Sequence, residues 1–375
     1  MKIGYDAKYI WQDEEYCGKS GYGVMGEEIL RNIMKVDDEN EYTIYLIEEN
    51  SKLPSKSNFH FKTLSSPLNK SNLLRNIFPV PAELRRNPVD LFFTFTTTPW
   101  WVKCKIVLFI SDIFWIAHPE WLPKKIVIPA TIATRISLHR ADKIVTPTEF
   151  SKREIVRLMG VPEDKVVVSY HGIRPHYLER EDPHFIEQVK KEYGIEGNYI
   201  LSINDIHPRK NMEGLVDAFC HLKEKEGIDH KLVLVGRSLW PYPSLFEKIE
   251  KSPFKKDIFL PGYIPSAHVR PMYQGASLFV YSSFYEGWGL QVHEAMCSGI
   301  PVAISNSSTL PEISGDAAVE FDPNDSQDMA RAMFKVLGDP QLQKEMIRKG
   351  LEEVKKYSWE KCAREIVDVI GKVHG

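Results

Sequence analysis

Residues Tyr281–Pro301 read YSSFYEGWGLQVHEAMCSGIP, and the fold turns on them. An apolar β-type run ending at Tyr281 gives way to a turn carrying Glu286, Gly287 and Gly289. About ten residues of helical pattern follow, closed by Gly299 and Pro301. The order is strand, loop, helix. The first turn of such a helix presents unpaired N–H groups at the positive end of the helix dipole, so it attracts an anion. Gly287 and Gly289 let that backbone approach a ligand closely. Glu286 stands at the mouth of the turn, and Glu294 lies about two turns along the helix. Carboxylates accept hydrogen bonds from sugar hydroxyls, so the stretch suits a ligand carrying both phosphate and hydroxyl groups, as a nucleotide sugar does. An ordinary βα unit with two solvated glutamates shares the pattern, and other segments have to decide.

The loop Asn204–Asn211 (NDIHPRKN) sets Arg209 and Lys210 just after a strand-like run and at the start of a helical one. Arg binds phosphate oxygens in a fork and Lys acts as a compact point charge, so together they can neutralise a departing diphosphate without a metal. An exposed Arg-Lys pair on a solvated surface reads the same way in isolation. No Asp-x-Asp pair occurs, and Cys297 stands where a zinc motif beginning at His293-Glu294 needs a second His, so no bound metal is expected. Nearer the N-terminus, Met1–Ala7 opens as a strand and leads to Gly18-Lys19-Ser20-Gly21-Tyr22-Gly23. This G-x-x-G-x-G spacing is not the dinucleotide fingerprint, which disfavours a nicotinamide dehydrogenase. The run Phe109–Glu120 carries Ser111, Asp112 and His118 off the carboxyl end of another strand, where open α/β sheets bind ligands.

At 375 residues and 43% hydrophobic content the chain can form two domains of ordinary size. A net charge of -3 gives no basic field for nucleic acid, and five scattered cysteines indicate neither a disulfide framework nor a zinc knuckle. No signal peptide is visible in the opening strand, and the longest apolar run is broken at Ser111-Asp112, so a cytoplasmic protein is expected. The segment Leu68–Arg86 mixes leucine, isoleucine and phenylalanine with Lys70, Arg75, Arg85 and Arg86. It suits either a helix or loop covering the sheet or a peripheral contact with the anionic inner face of a membrane. Strand-like runs at 42–47, 91–95, 105–110, 143–146, 166–169, 199–203, 231–235, 258–260, 278–281 and 302–304 alternate with helical ones, which implies mostly parallel sheets.

The run Glu286-Gly287-Trp288-Gly289-Leu290 to Glu294-Ala295-Met296, with Gly299-Ile300-Pro301-Val302, resembles the signature of glycosyltransferase family 4. Trp288 replaces the family's usual Phe and Gln291 its usual Pro. Arg209-Lys210-Asn211 and Gly21-Tyr22-Gly23 match two further family segments in the same order, whereas Ser111 replaces a sugar-contacting His before Asp112 and Asn204 an Arg. The resemblance implies an α/β GT-B fold of two Rossmann-like domains facing each other across a cleft. The boundaries it suggests are an acceptor-side domain at 1–170, joined by a returning helix at 358–375, and a nucleotide-sugar domain at 171–357.

It also implies a metal-independent, retaining hexosyltransferase without a cofactor, using a nucleotide-sugar donor and a saccharide or lipid-linked acceptor. Glu286, Arg209 and Lys210 would be catalytic. Gly21, Gly23, Tyr263, Gly287, Gly289, Leu290 and Glu294 would bind donor, and Ser111, Asp112 and His118 would contact acceptor or sugar. The segments look most like bacterial polysaccharide mannosyltransferases, which puts GDP-mannose first and UDP-glucose or UDP-N-acetylglucosamine second. A GT-B sugar-nucleotide epimerase and a catalytically silent binding subunit are the readings from other classes.

Overall fold

The runs LFFTF (91–95) and KIVLF (105–109) are apolar along their length instead of alternating, the mark of parallel strands covered on both faces. The computed structural model, which describes residues 1–10, 21–48, 53–238 and 242–374, places both at the centre of a sheet. The chain forms two units, Met1–Gly172 with Tyr357–Gly375, and Ile173–Lys356.

The first unit holds seven strands, β1 (Lys2–Asp6), β2 (Glu41–Leu46), β3 (Phe59–Thr63), β4 (Leu91–Phe95), β5 (Lys105–Phe109), β6 (Lys143–Thr146) and β7 (Val166–Val168). Their order is β3-β2-β1-β4-β5-β6-β7 and every pairing is parallel. Strand β3 was not expected, because FHFKT turns only Phe59 inward and its remaining residues are exposed or partly so. Helix Gly21–Val36 takes Gly21 and Gly23 into its first turn, so they are not the free turn that the sequence suggests, and Gly18–Ser20 lie outside the described residues. The last helix, Trp359–His374, packs on Gly21–Val36. Gly172 admits it: a Cβ there would stand 2.0 Å from the Trp359 nitrogen. His171 stacks between Phe109 and Trp359, with ring centroids 5.7 and 5.1 Å away.

The segment 68–86 forms short helices at Asn72–Ile77 and Pro79–Arg86, and Val80 and Leu84 pack on Tyr45 and Phe92 of the sheet. Arg75 is fully buried in an ion pair with Asp6, which removes it from any lipid surface.

The second unit holds β8 (Tyr199–Ile203), β9 (Lys231–Val235), β10 (Ile258–Gly262), β11 (Leu278–Tyr281), β12 (Val302–Ser305) and β13 (Val319–Phe321). Their order, β10-β9-β8-β11-β12-β13, repeats that of the first sheet, again with parallel pairings. Helices Met212–Glu226 and Ser326–Leu337 bury Phe219, Leu222, Met329 and Met333 in its core. Helix Pro183–Glu192, with Asp182 as its N-cap and Pro183 in the first turn, was not expected from the sequence. In both sheets the connections run outward from the first strand to one side and then restart on the other. The crevice between first and fourth strands, β1 and β4 or β8 and β11, is where such sheets bind ligands.

Candidate active site

At the carboxyl edge of the second sheet, β8 runs into the loop 204–211 and its neighbour β11 runs into the loop 282–289. Adjacent strands bring the two loops together, and short polar side chains tie them. The Phe284 N–H donates to the Arg209 carbonyl (2.9 Å), and the Ser282 hydroxyl to the Lys210 carbonyl (2.9 Å). After β12, Ser305 and Ser307 donate to the Ser283 and Phe284 carbonyls at 2.6 and 3.0 Å. On the other side, His207 Nδ1 accepts from the Arg209 N–H at 3.1 Å. Asn211 turns left-handed (φ 52°) and accepts from the Gly214 N–H at 3.2 Å, starting helix Met212–Glu226. Asn is among the few side chains that take this conformation readily.

These ties aim three charges at one point. Lys210 pairs with Glu286 and also donates to the Tyr281 hydroxyl at 3.1 Å. Tyr281 in turn donates to Gln291 Oε1 at 3.2 Å. Arg209 Nη1 reaches the Tyr285 carbonyl at 3.1 Å and Glu286 Oε2 at 3.4 Å. The Glu286 N–H donates to Ser308 Oγ at 3.0 Å, and Ser308 itself stands at φ 56°, a costly conformation for serine. Burial alone would raise the Glu286 carboxyl, but the Arg209 and Lys210 charges outweigh it and hold the group below the usual carboxylate range. Burial lowers the Lys210 ammonium, an effect that Glu286 opposes. His207, half-buried beside both cations, is pushed down to about 4 by burial and by those charges and is neutral at pH 7. The cluster therefore holds two cations against one carboxylate.

Helix Leu290–Cys297 starts immediately beside it, and no side chain caps its first turn. Gly289 precedes it at φ 106°, a conformation that strains any other residue, and a Cβ there would press on Leu310 Cδ2 at 3.0 Å. Gly287 and Leu290 belong to the same turn, and Trp288 fills the space beneath it, edge-on to His293 at 5.2 Å. His293 donates from Nε2 to the Ile313 carbonyl (2.8 Å) and is pushed by burial to about 4, a structural neutral imidazole.

Glu294, on the next turn, is buried and held by Arg174 and by the Tyr273 hydroxyl (3.1 Å). Gly262 ends β10 at φ 75° and accepts from the Gly236 N–H, leaving Tyr263 partly exposed.

The structure thus brings Arg209, Lys210, Glu286, Gly287, Gly289 and Leu290 together. Of the remaining expected residues, Glu294 and Tyr263 lie in the same unit, whereas Gly21, Gly23, Ser111, Asp112 and His118 lie in the first unit. There the Ser111 N–H donates to the Tyr22 hydroxyl (3.3 Å) and its Oγ lies 3.7 Å from Met25 Sδ, so Ser111 meets the helix that contains Gly21 and Gly23. Asp112 accepts from the Phe114 N–H at 3.2 Å. His118 is paired to Glu120 at 3.0 Å and stacked on Trp121.

Sequence reasoning missed Tyr281, Ser308, Tyr273 and Arg174 as site residues. Only Tyr281, closing an apolar run, carried a local signal; Arg174 comes from the polar connector 120 positions before its partner. Among the described residues no group of three or more His, Cys, Asp or Glu is placed to hold a metal ion. No helix among them is long and apolar enough to cross a membrane.

Comparison with known proteins adds to this geometry. The family profile for glycosyl transferases group 1 matches residues 185–353, and that for Glycosyltransferase Family 4 matches residues 37–177. The chain is 32% identical over 264 residues to O-antigen chain mannosyltransferase B of Escherichia coli, covering 70% of this chain and 69% of that one. It is 27% identical to the serotype-specific mannosyltransferase WbdA of Escherichia coli over 61% of this chain, and the match spans only 29% of WbdA. Among solved structures, a glycosyltransferase from Rickettsia africae ESF-5 superposes with a TM-score of 0.74 at 16% identity, covering 99% of this chain and 98% of that one. WaaG, a glycosyltransferase involved in lipopolysaccharide biosynthesis, does so with 0.74 at 15% identity, covering 98% and 99%. At such identities the likeness speaks for the fold, which is the two-unit α/β architecture called GT-B.

Proposed function

The chain belongs to glycosyltransferase family 4, and from that membership we propose that it transfers mannose from GDP-mannose, with retention, to a saccharide or lipid-linked acceptor in polysaccharide synthesis. The likeness to the O-antigen mannosyltransferase supports the sugar. The observation that carries the site assignment is the convergence of Arg209, Lys210 and Glu286 beside an uncapped helix start at the crevice between β8 and β11.

In this reading the donor diphosphate lies on the amides around Gly289 and Leu290. Lys210 has three N–H donors, two of which serve Glu286 and Tyr281, so the third can meet a phosphate oxygen. Arg209 adds the second charge. No metal is needed for the neutralisation in this scheme, since both cations are protein side chains. Glu286 accepts from sugar hydroxyls, and Glu294, steadied by Arg174 and Tyr273, from the ribose. As the bond from the anomeric carbon to the leaving phosphate oxygen breaks, the acceptor oxygen bonds to that carbon from the same face and passes its proton to the departing phosphate. The protein's part is to stabilise negative charge that grows on the diphosphate.

A thermal-shift series in EDTA with GDP, GDP-mannose, UDP and UDP-glucose tests the donor. Ligand at 100 times its Kd stabilises the native state by about 2.7 kcal/mol, which a melting curve resolves readily. A rise with the guanosine compounds is expected, and the anomeric configuration of the product, read by NMR, then tests retention. A response confined to uridine compounds would overturn the mannosyl donor and leave a transferase of another hexose. Silence toward every nucleotide would overturn the site and favour a binding subunit. Isomerised donor without transfer would favour an epimerase.

A further inference from the structure

Helix Lys124–Arg140 (KKIVIPATIATRISLHR) is built inside out. Its buried residues are Thr134, Ser137 and Leu138, and Ser137 is spent on backbone, accepting from the Thr98 N–H (3.0 Å) and donating to the Ala133 carbonyl (2.7 Å). Leu138 packs into the core, but the four isoleucines are exposed. Ile128 is 57% exposed and Ile132 is 55% exposed, with Ile126 at 40% and Ile136 at 37%. Positions 128, 132 and 136 are spaced by four and so form one row on the outer face. Single exposed aliphatics are ordinary, but a row of isoleucines on the outer face of one helix is a patch.

The charges on the same helix have one sign. Lys124, Lys125, Arg135 and Arg140 are basic, His139 joins them in the last turn, and no acid occurs between 124 and 140. Lys124, Lys125 and Arg135 are exposed. Arg140 also donates to the Val102 carbonyl, which fastens the helix end to the segment that carries Trp101. Trp101 is 65% exposed and, with Phe78, Ile77, Leu68 and Arg85, lines an open apolar groove. An indole beside basic residues is the composition that settles at the headgroup level of a bilayer.

We propose that the outer face of helix Lys124–Arg140 in the first unit, its isoleucine row with the flanking cations, docks on an anionic lipid surface, and that the Trp101 groove, tied to the helix end through Arg140, adds a second contact. The charge pattern selects this occupant: a second copy would set like charges against each other, whereas anionic headgroups accept the flanking cations while the isoleucines enter the acyl boundary. The surface centres on helix Lys124–Arg140, which the sequence did not suggest, and shares with the suggested segment 68–86 only residues of the groove, among them Leu68, Ile77, Phe78 and Arg85, Arg75 being turned inward. It is independent of the donor chemistry and remains testable if the sugar assignment fails.

The test is co-sedimentation of the full chain with vesicles of pure phosphatidylcholine or of phosphatidylcholine with 30 mol% phosphatidylglycerol, about 0.1 M salt being near the screening regime of physiological buffer. The wild type is expected to partition at least fivefold more to the anionic vesicles. Ile128→Glu/Ile132→Glu should lose that binding, and Lys124→Ala/Lys125→Ala/Arg135→Ala should weaken it. All five positions are exposed, so circular dichroism and the melting temperature should stay as in the wild type. Absence of wild-type retention, equal retention on both vesicle types, or an unchanged Ile128→Glu/Ile132→Glu variant would each overturn the proposal. So would a lipid-free dimer that the isoleucine variant abolishes in sedimentation velocity, since the row would then be a face between copies.

Discussion

The two sheets place the same charges at the same topological point and use them differently. At the first sheet's crevice, between β1 and β4, Asp6 meets Arg75 at 2.8 Å and Lys8 at 3.7 Å, so one carboxylate faces two cations. At the second, between β8 and β11, Glu286 faces Arg209 and Lys210. Asp6 and Arg75 are 0% exposed, the Thr94 hydroxyl donates to Asp6 at 3.0 Å, and Lys8 donates to the Phe95 carbonyl at 2.9 Å. That cluster is sealed, and its Asp6–Arg75 ion pair fastens helix Asn72–Ile77 to the sheet. The second is 6 to 8% exposed at Glu286 and Lys210 and borders a glycine turn and an uncapped helix start. The two ion clusters at the switch points thus differ in what they border, and the second lies beside a glycine turn and a helix start that no side chain caps.

The largest effect is expected at Asp6. Asp6→Ala strands Lys8 and Arg75 in the interior without an anion, and removal of one member of a buried pair costs about 3–5 kcal/mol. Urea unfolding should register that loss, while the remaining folded protein keeps its nucleotide-induced rise in melting temperature. A loss below about 1 kcal/mol would mean that the first cluster does not fasten the fold.

Lys210→Ala should do the opposite. Arg209 still compensates Glu286, so the urea midpoint moves less than for Asp6→Ala. Turnover should fall by more than tenfold if one charge-assisted contact of about 1.5–3 kcal/mol acts on the departing diphosphate. Unchanged turnover in a steady-state assay would remove Lys210 from the mechanism and make the two clusters alike.

What the sequence could show follows from the range of each interaction. The long apolar runs, the Glu286–Glu294 spacing and the Arg209-Lys210 pair are local patterns, and each was readable. Strand β3 was not, since an edge strand with one inward residue has no apolar period. Helix Pro183–Glu192 was not expected either, although Asp182-Pro183 is a good helix start. The Arg174–Glu294 pair, the hold of Ser308 on Glu286 and the inverted helix Lys124–Arg140 depend on which distant segment is the neighbour. Composition and spacing do not encode that. Ser308 in particular looks like any loop serine until its φ of 56° and its bond to the Glu286 N–H are known.

The smallest expected effect sharpens the comparison from within the second cluster. Gln291, the departure from the family's usual proline, accepts from the Tyr281 hydroxyl, and Tyr281 accepts from Lys210. The chain Gln291–Tyr281–Lys210 fixes the ammonium against Glu286, a support for which the sealed cluster of the first sheet has no need. Gln291→Ala lets water take the carbonyl's place, because Gln291 is only partly buried. The cost should be that of one neutral hydrogen bond, about 0.5–1.5 kcal/mol or roughly twofold to tenfold in turnover. Tyr281→Phe removes the middle of the same chain, so the Gln291→Ala/Tyr281→Phe double variant should be scarcely slower than Tyr281→Phe alone. Additive losses in that double-mutant cycle would show that Gln291 acts on turnover by another route.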